Sequence, residues 1–273
     1  MSSRIAGGFF RRIGAVIPYY RAPQALERTL AALRAAGCQE PDIFVRDNSV
    51  DNVLFTVAAN EGFAHWLSAG AHEFALLLNH DAELSRDALD CMLAVMDAHP
   101  RAGVCAPVSL DRQGAVKWCG GSDSLPWGRH FTTARAQLPA APYDTRWANG
   151  ACLLIRLQTL REVGLFDATM RFVFSDVDFS YRARLQGWRV LVCPQAFLQH
   201  ELSGSSAAAP LWLQIVKLQD QIRFAEKWGE SAEYSALARE AERMPPQRIR
   251  ELCAVSRAQI RQLETALQRE RAI

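Results

Sequence analysis

The stretch FALLLNHDAEL, residues 74–84, joins five apolar residues directly to the polar group Asn79-His80-Asp81. A short apolar run bounded by polar residues is typical of a buried strand. In an open α/β sheet, ligands bind in the crevice beyond the carboxyl ends of the strands. We therefore expect this strand to deliver an amide, an imidazole and a carboxylate to a ligand-binding edge.

Strands and helices alternate on both sides of this stretch. Apolar runs predict further strands at residues 13–20, 42–49, 102–110, 151–156 and 189–194. Helical spacing predicts helices at residues 22–37, 61–72, 85–100, 157–164 and 175–187, with Ser85 as the N-cap of the third. This alternation indicates an α/β fold with a mixed, mostly parallel sheet that is flanked by helices.

The C-terminal part changes character, because residues 210–273 are predicted to be helical throughout. We expect them to extend a sheet domain that spans residues 1–209. The last helix carries a roughly heptad stripe of Ile249, Cys253, Ser256, Ile260, Leu263 and Leu267, which the polar Ser256 interrupts. A packed amphipathic helix is the favoured interpretation. A coiled coil that forms a homodimer and a helix face that lies on a membrane remain alternatives.

Composition excludes several classes of protein. The formal net charge is only +2, so no nucleic-acid partner is expected. The seven cysteines contain no C-x-x-C pair, which argues against a disulfide framework or a zinc site. No apolar run is long enough to cross a bilayer, and the N-terminus lacks the pattern of a signal peptide. We expect a cytoplasmic protein, with peripheral contact to the inner membrane as the alternative.

Four polar groups follow a predicted strand or open a predicted helix, and all can face one edge of the sheet. They are Asp47-Asn48, Asn79 with Asp81, Asp176 with Asp178, and His200. Asp81 and His200 suit Mn2+ or Mg2+, which commonly bridge a protein carboxylate to substrate phosphates. A turn-forming role is the alternative for a strand-end aspartate such as Asp81.

Asp176 lies in the first turn of a predicted helix. The helix dipole lowers the pKa of a carboxylate at this position, which would leave Asp176 ionised and able to accept a proton. Ser175 and Asp178 also form a capping-box pattern, so capping of the helix is the alternative role for this segment.

Taken in order, these segments resemble a family 2 glycosyltransferase with the GT-A fold, especially the rhamnosyltransferase-like branch. The matching segments are VIPYYRAPQALERTLAAL, DNSVDN, NEGFA, LLLNHDAEL, WANGACLLIR, VGLFD, SDVDFSYRARLQGW, and His200 followed by SGSS. They run in family order from about residue 13 to residue 206 and leave the C-terminal helices outside the match. Each segment alone is weak evidence, whereas eight in order make a chance match improbable.

The resemblance implies an inverting, metal-dependent transfer of a sugar to a hydroxyl group during synthesis of a cell-surface polysaccharide. The donor would be a dTDP- or UDP-sugar, and the acceptor a glycan or a lipid-linked glycan. By the resemblance, Asp176 is the general base, and Asp81 holds Mn2+ or Mg2+ with help from His200. The implied nucleotide and donor contacts are Pro18, Tyr20, Asp47, Asn48, Asn60, Gly62, Phe63 and Asn79. The implied acceptor contacts are Trp147, Asn149 and Asp178.

This sequence departs from the family pattern at several places. After the segment 60–64 the family usually has a small residue and then an Asn, where this sequence has Trp66 and Ser68. Ser175 stands where the family usually has a Glu before its catalytic Asp, and the stretch from Asp47 to Asp51 is one residue shorter than usual. Two other functions stay open. One is a sugar nucleotidyltransferase, although no Gly-rich phosphate loop follows the first strand. The other is a non-catalytic module that binds a nucleotide sugar or a glycan, in which Asp176 only caps its helix.

Overall fold

The computed structural model describes residues 12–123, 128–200, 209–237 and 243–271. The strands in these ranges are β1 (Ile13–Tyr19), β2 (Ile43–Asp47), β3 (Phe74–Leu78), β4 (Ala82–Leu84), β5 (Ala102–Leu110), β6 (Val116–Trp118), β7 (Tyr143–Asp144), β8 (Cys152–Arg156) and β9 (Arg189–His200). The α-helices are α1 (Pro23–Ala36), α2 (Leu54–Ala69), α3 (Arg86–Ala98), α4 (Leu157–Val163), α5 (Ser175–Leu185), α6 (Leu211–Trp228), α7 (Ala232–Leu237) and α8 (Pro246–Arg271).

One mixed sheet forms the centre of the fold. Its strand order is β2-β1-β3-β8-β5-β9-β4, with β6 paired to β5 and β7 paired to β9. Strand β1 pairs in parallel with β2 and β3, and β5 pairs in parallel with β9. Strand β8 runs against both β3 and β5, and β4 runs against β9. The remaining five strands of this order, β2, β1, β3, β5 and β9, share one direction. The predicted mixed, mostly parallel sheet is confirmed.

The carboxyl ends of the first three strands meet at one edge of this sheet. Tyr19 at the end of β1 lies in register with Asp47 at the end of β2. Leu78 at the end of β3 pairs with Cys152, the first residue of the reversed β8. Strands β1 and β3 are almost entirely buried because helices cover the sheet on both faces. The edge therefore collects polar side chains that the core could not hold.

One predicted helix start and one predicted helix cap are wrong. Helix α2 begins at Leu54 and not near residue 61, because the Asn52 side chain accepts a hydrogen bond from the Leu54 amide and helical structure follows. Helix α5 begins at Ser175, and Phe174 precedes it with a positive φ of 70° and no side-chain cap. The predicted capping box is therefore absent. The predicted N-cap of α3 is confirmed, since the Ser85 hydroxyl accepts from the Ala88 amide at 3.2 Å.

The C-terminal helices pack against the rest of the described chain. The main apolar cluster contains sheet residues such as Val104 together with Phe224, Trp228 and Ile249 of the helices. Helix α8 lies on α6, and its predicted stripe faces inward, where even Ser256 is buried and meets Gln221. The favoured packed-helix interpretation agrees with this arrangement. Within the described residues, no helix is long and apolar enough to span a membrane.

Candidate active site

Asn79, Asp81 and His200 meet at the edge where β3 ends. The antiparallel pairing of β4 with β9 sets His200 opposite Ala82, directly beside Asp81. His200 Nε2 lies 3.3 Å from Asp81 Oδ1 and 3.3 Å from Asn79 Nδ2. The Asp81 and His200 side chains are 16% and 9% exposed, so both groups are held with limited access to solvent. The structure thus brings His200 to Asn79, which lies 121 positions earlier in the sequence, and to the neighbouring Asp81.

The donor set at this corner fits a divalent cation that substrate oxygens complete. One carboxylate and one imidazole are the protein ligands that Asp81 and His200 can supply. Within the described residues, no group of three or more His, Cys, Asp or Glu side chains could hold a metal by itself. Mg2+ and similar cations usually bind through one or two carboxylates and the phosphates of a substrate. The site therefore fits a metal that binds together with a diphosphate.

Asp176 lies at the start of α5, and two backbone amides fix its carboxylate. The Gly150 amide donates to Oδ2 at 2.7 Å, and the Val177 amide donates to Oδ1 at 2.9 Å. A side chain at position 150 would be crowded, since a Cβ there would lie 3.2 Å from Asp176 Oδ2 and 3.2 Å from the Phe55 ring. Glycine at this position therefore permits the approach between the loop and the carboxylate.

Main-chain contacts connect the Asp176 corner with the Asp81 corner. Ala151, next to Gly150, accepts a hydrogen bond through its carbonyl oxygen from the Asn79 amide at 2.9 Å. The Asn79 side chain then reaches His200, which contacts Asp81. Asp176 and Asp81 consequently lie on the same rim of the sheet.

The direction of the Asp176 pKa shift differs from the expectation. Burial raises the pKa of Asp176, and the amide hydrogen bonds from Gly150 and Val177 counteract it only in part. The helix dipole favours the charged form of Asp176, but desolvation of that charged form is the larger effect here. A carboxylate with a raised pKa binds a proton more readily, which suits a general base.

Asp47, Asn48 and Tyr20 form the far end of the same rim. Asp47 is exposed, and hydrogen bonds from Ser49 hold its pKa below the usual value. The backbone amide of Asn48 donates to the Tyr19 carbonyl at 2.8 Å. The buried side-chain Oδ1 of Asn48 has no hydrogen-bond partner within the described residues. Tyr20 is partly exposed beside them. The exposed side chains of Asp47 and Tyr20 can contact a ligand.

His80 and Arg21 also shape this end, although neither was assigned a specific contact from the sequence. His80 Nδ1 lies 3.2 Å from the carbonyl oxygen of the buried Pro18, and the His80 ring meets Tyr19 edge-on at 5.7 Å. Arg21 donates to the Ser49 carbonyl from two nitrogens and has a positive φ of 44°. The polar run after β3 pointed to His80, whereas the Arg21 contact spans 28 residues and gave no local signal.

The structure corrects the assignment of three predicted nucleotide contacts on α2. Asn60 donates to the Phe166 carbonyl at 2.8 Å and accepts from the Phe166 amide at 3.0 Å, which uses both ends of its side chain. Gly62 lies under Val16, where a Cβ would come within 2.3 Å of a methyl group. Phe63 is fully buried and packs on Phe166. These residues support the core and do not line the rim.

Two of the three predicted acceptor contacts are also corrected. Trp147 is buried, and its Nε1 donates to the Ser122 carbonyl at 3.0 Å. Asp178 is completely buried, with its carboxylate bound by Arg182, Lys227 and Trp228. Neither side chain can reach an acceptor in this arrangement.

Asn149, the third predicted acceptor contact, is partly buried beside Gly150 on the rim. Its Oδ1 accepts a hydrogen bond from the Ala151 amide at 2.9 Å. It remains a candidate contact for the acceptor.

Comparison with known sequences gives the family and one kind of relative. A family model described as Glycosyltransferase like family 2 matches residues 27–217. An N-acetylglucosaminyl-diphospho-decaprenol L-rhamnosyltransferase from Mycobacterium tuberculosis is 28% identical over 153 residues. The aligned part is 50% of this chain and 50% of that relative. The chain thus spans about half the length of the curated relative it matches.

Solved structures share the architecture at low sequence identity. GalNAc-T7 with UDP, GalNAc and Mn2+ gives a TM-score of 0.60 at 15% identity, over 93% of this chain and 55% of that one. A mannosyltransferase from Pyrobaculum calidifontis with GDP-Man and Mn2+ gives 0.58 at 12% identity, over 97% and 81% of the two chains. S. aureus TarS with UDP-GlcNAc gives 0.51 at 13% identity, over 83% and 72%. These likenesses confirm the GT-A fold that the sequence predicted.

Proposed function

The chain belongs to Glycosyltransferase like family 2, since the family model covers residues 27–217, and from that premise we propose that it is an inverting, metal-dependent sugar transferase. The observation that supports this proposal best is the convergence of Asp176 and the Asp81–His200 pair on one rim. A transferase needs a base near the acceptor and a cation site near the diphosphate, and the main-chain contact between Ala151 and Asn79 joins the two.

The donor is a nucleoside diphosphate sugar bound along the rim from Asp47 to Asp81. Asn48 Oδ1 is a buried acceptor without a partner in the described residues, and the imide N–H of a uracil or thymine base would supply one. This favours a UDP- or dTDP-sugar. Exposed Asp47 would accept hydrogen bonds from ribose hydroxyls, with Pro18 and Tyr20 beside the base. The M. tuberculosis relative is named an L-rhamnosyltransferase, which supports a rhamnosyl or hexosyl donor.

Asp81 and His200 would hold Mn2+ or Mg2+, and Asn79 would orient His200. When bound, the cation neutralises charge that develops on the departing diphosphate. Mn2+ accompanies the nucleotide in two of the structures that share the fold. The pair supplies few ligands of its own, so metal and nucleotide would bind more tightly together than apart.

Asp176 acts as the general base on an acceptor hydroxyl. The two amides from Gly150 and Val177 hold the carboxylate in one orientation and leave further lone pairs for the substrate. The proton of the acceptor hydroxyl passes to Asp176 while the hydroxyl oxygen forms a bond to the anomeric carbon. The bond from that carbon to the diphosphate breaks, and the nucleoside diphosphate leaves with the electron pair. Attack from the side opposite the leaving group inverts the anomeric configuration.

The acceptor is a glycan or a lipid-linked glycan in the synthesis of a cell-surface polysaccharide. The relative's name specifies an N-acetylglucosaminyl-diphospho-decaprenol acceptor, which supports a lipid-linked substrate. Asn149 borders the position that the acceptor would occupy. Peripheral contact with the inner membrane would follow from such a substrate.

A panel of UDP- and dTDP-sugars, assayed for transfer or slow hydrolysis with Mn2+, tests this function. We expect Asp176→Asn to reduce turnover by about 100-fold or more while UDP or dTDP still binds. The matched control is Asp144→Asn, because Asp144 is an exposed residue of β7 that pairs with Arg189. Turnover that survives in Asp176→Asn would contradict the general-base role. Nucleotide binding without turnover in any panel member would favour the non-catalytic binding module instead.

A further inference from the structure

The segment that leads into α5 is fastened from two opposite sides. On one side, the Thr56 hydroxyl donates to the Met170 carbonyl at 2.6 Å and lies 2.9 Å from the Ser175 hydroxyl. The Thr56 amide also donates to the Arg171 carbonyl at 3.0 Å. This side belongs to α2 and therefore to the sheet domain.

The other side is provided by Asp220 of α6. The Asp220 side chain is completely buried, and its Oδ2 accepts from the amides of Phe172 at 2.7 Å and Val173 at 3.1 Å. Two adjacent backbone amides on one carboxylate oxygen fix the course of the main chain at these residues. Arg223, one turn further along α6, lies 3.3 Å from the other carboxylate oxygen, Oδ1.

Phe174, the residue between this contact and α5, has an unusual conformation. Its φ of 70° lies in the left-handed region, which residues with a side chain adopt only when the surroundings impose it. The Phe174 ring stacks on Phe224 of α6 with ring centroids 5.1 Å apart and planes 19° from parallel. Helix α6 therefore holds both the backbone before Phe174 and the Phe174 ring.

We propose that Asp220 is a positioning residue for Asp176, a role that rests on the proposed transferase function. Asp176 comes two residues after Phe174, so the main-chain path at 172–174 sets where α5 begins and where the carboxylate lies. Asp220 touches neither substrate nor metal in this proposal. It also lies beyond the family match at 27–217, so the general family pattern does not assign it.

Asp220→Ala tests the role directly. We expect kcat to fall by about 10- to 100-fold, since small misplacements of a reacting group have effects of this size. The donor KM and the Kd for UDP or dTDP should stay within about twofold, because the donor rim is untouched. Asp220→Asn should restore most of kcat, since its amide oxygen can accept from the same two backbone amides.

The control is Asp167→Asn, which disturbs another contact between α6 and the segment before α5. Asp167 pairs with Lys227 of α6 at 2.7 Å and does not touch the amides at 172 and 173. Equal kcat in Asp220→Ala and Asp167→Asn would overturn the proposal. A matching rise in donor KM and nucleotide Kd would also overturn it, because it would indicate general loosening.

Amide hydrogen exchange provides a readout that does not depend on turnover. In Asp220→Ala, exchange should rise at residues 172–178 and stay unchanged at residues 13–19 of β1. Unchanged exchange at 172–178 would overturn the positioning role even if the wild-type protein transfers no sugar. Should Asp220→Ala fail to fold, Phe224→Leu weakens the same segment through Phe174. We expect a lower kcat at constant donor KM in that variant, and an unaltered kcat would reject the proposal.

Discussion

Replacement of Asp178 by alanine should destabilise the protein strongly without altering nucleotide binding. The Asp178 carboxylate is 0% exposed and receives Arg182 Nε at 2.8 Å, Lys227 Nζ at 2.7 Å and Trp228 Nε1 at 3.0 Å. Removing one partner of a buried ion pair typically costs about 3–5 kcal/mol. Lys227 is 37% exposed and keeps its pair with Asp167, so its share of the loss is small.

The expected loss is therefore near the lower limit, at about 3 kcal/mol. The main contributors are Arg182, which loses its carboxylate partner, and the Trp228 indole, which keeps a buried N–H without an acceptor. For a chain of this size, such a loss lowers Tm by about 6–12 °C. Urea unfolding followed by tryptophan fluorescence measures the free energy, and calorimetric titration with UDP or dTDP measures binding.

Asp144→Ala is the matched control, because the Asp144 and Arg189 side chains are 61% and 40% exposed. An exposed pair of this kind contributes about 0–1 kcal/mol. If Asp178→Ala were as stable as Asp144→Ala and lost only transferase activity, the structural role of Asp178 would be refuted. The acceptor role that the sequence first predicted would then be correct.

Three further predictions concern the rim. Gly150→Ala should lower kcat by about 10-fold or more at unchanged nucleotide Kd, because its Cβ would press on Asp176; an active variant would contradict this. Burial raises the Asp176 pKa, so on acidification kcat should begin to fall at a higher pH than an ordinary carboxylate would give, and pH–rate profiles measure this. The contribution of Asp176 to stability should be present at low pH and be lost as the pH rises through its folded-state pKa, which urea titrations at several pH values measure. With Mn2+ present, UDP or dTDP at a concentration of about 100 times its Kd should stabilise the protein by about 2.7 kcal/mol. The stabilisation should be much smaller with EDTA or in Asp81→Ala. Equal thermal shifts with EDTA would contradict the metal site.

The sequence predicted the rim well where a polar side chain directly follows a strand. Asn79 and Asp81 were identified because they directly follow a buried strand, and sheet geometry brings the ends of parallel strands together. His200 was expected after a strand at 189–194, whereas it is the last residue of β9. Pairing of β4 with β9 then joins residues 121 positions apart. Topology, rather than local propensity, made these residues predictable.

The prediction failed where a polar side chain bonds to a distant backbone or side chain. Asn60 binds the main chain of Phe166, which lies 106 residues away, and Asp178 binds Trp228, which lies 50 residues away. Both are polar residues in family-like segments, so a ligand contact was a reasonable reading of each. No local pattern distinguishes a polar side chain that is buried for a structural reason from one that faces a substrate, because burial is decided by the whole fold.

The predicted cap of α5 is wrong for a related reason. Ser175 and Asp178 have the spacing of a capping box, and local rules favour a side-chain cap there. In the folded protein, Ser175 meets Thr56, and Asp178 is committed to the C-terminal helices. Tertiary contacts therefore replace the local cap, and the strained Phe174 marks the position where they do so.

Two separate parts of the fold supply the two halves of the proposed reaction. Strands β1 to β4 and β9 supply the donor rim, whereas α5, held by α2 and α6, supplies Asp176. The main chain at Gly150 and Ala151 connects them, since Gly150 binds Asp176 and Ala151 binds Asn79. Loss of the Asp220 contact on α6 should therefore change the chemical step alone, whereas substitutions at Asp81 should change donor binding as well.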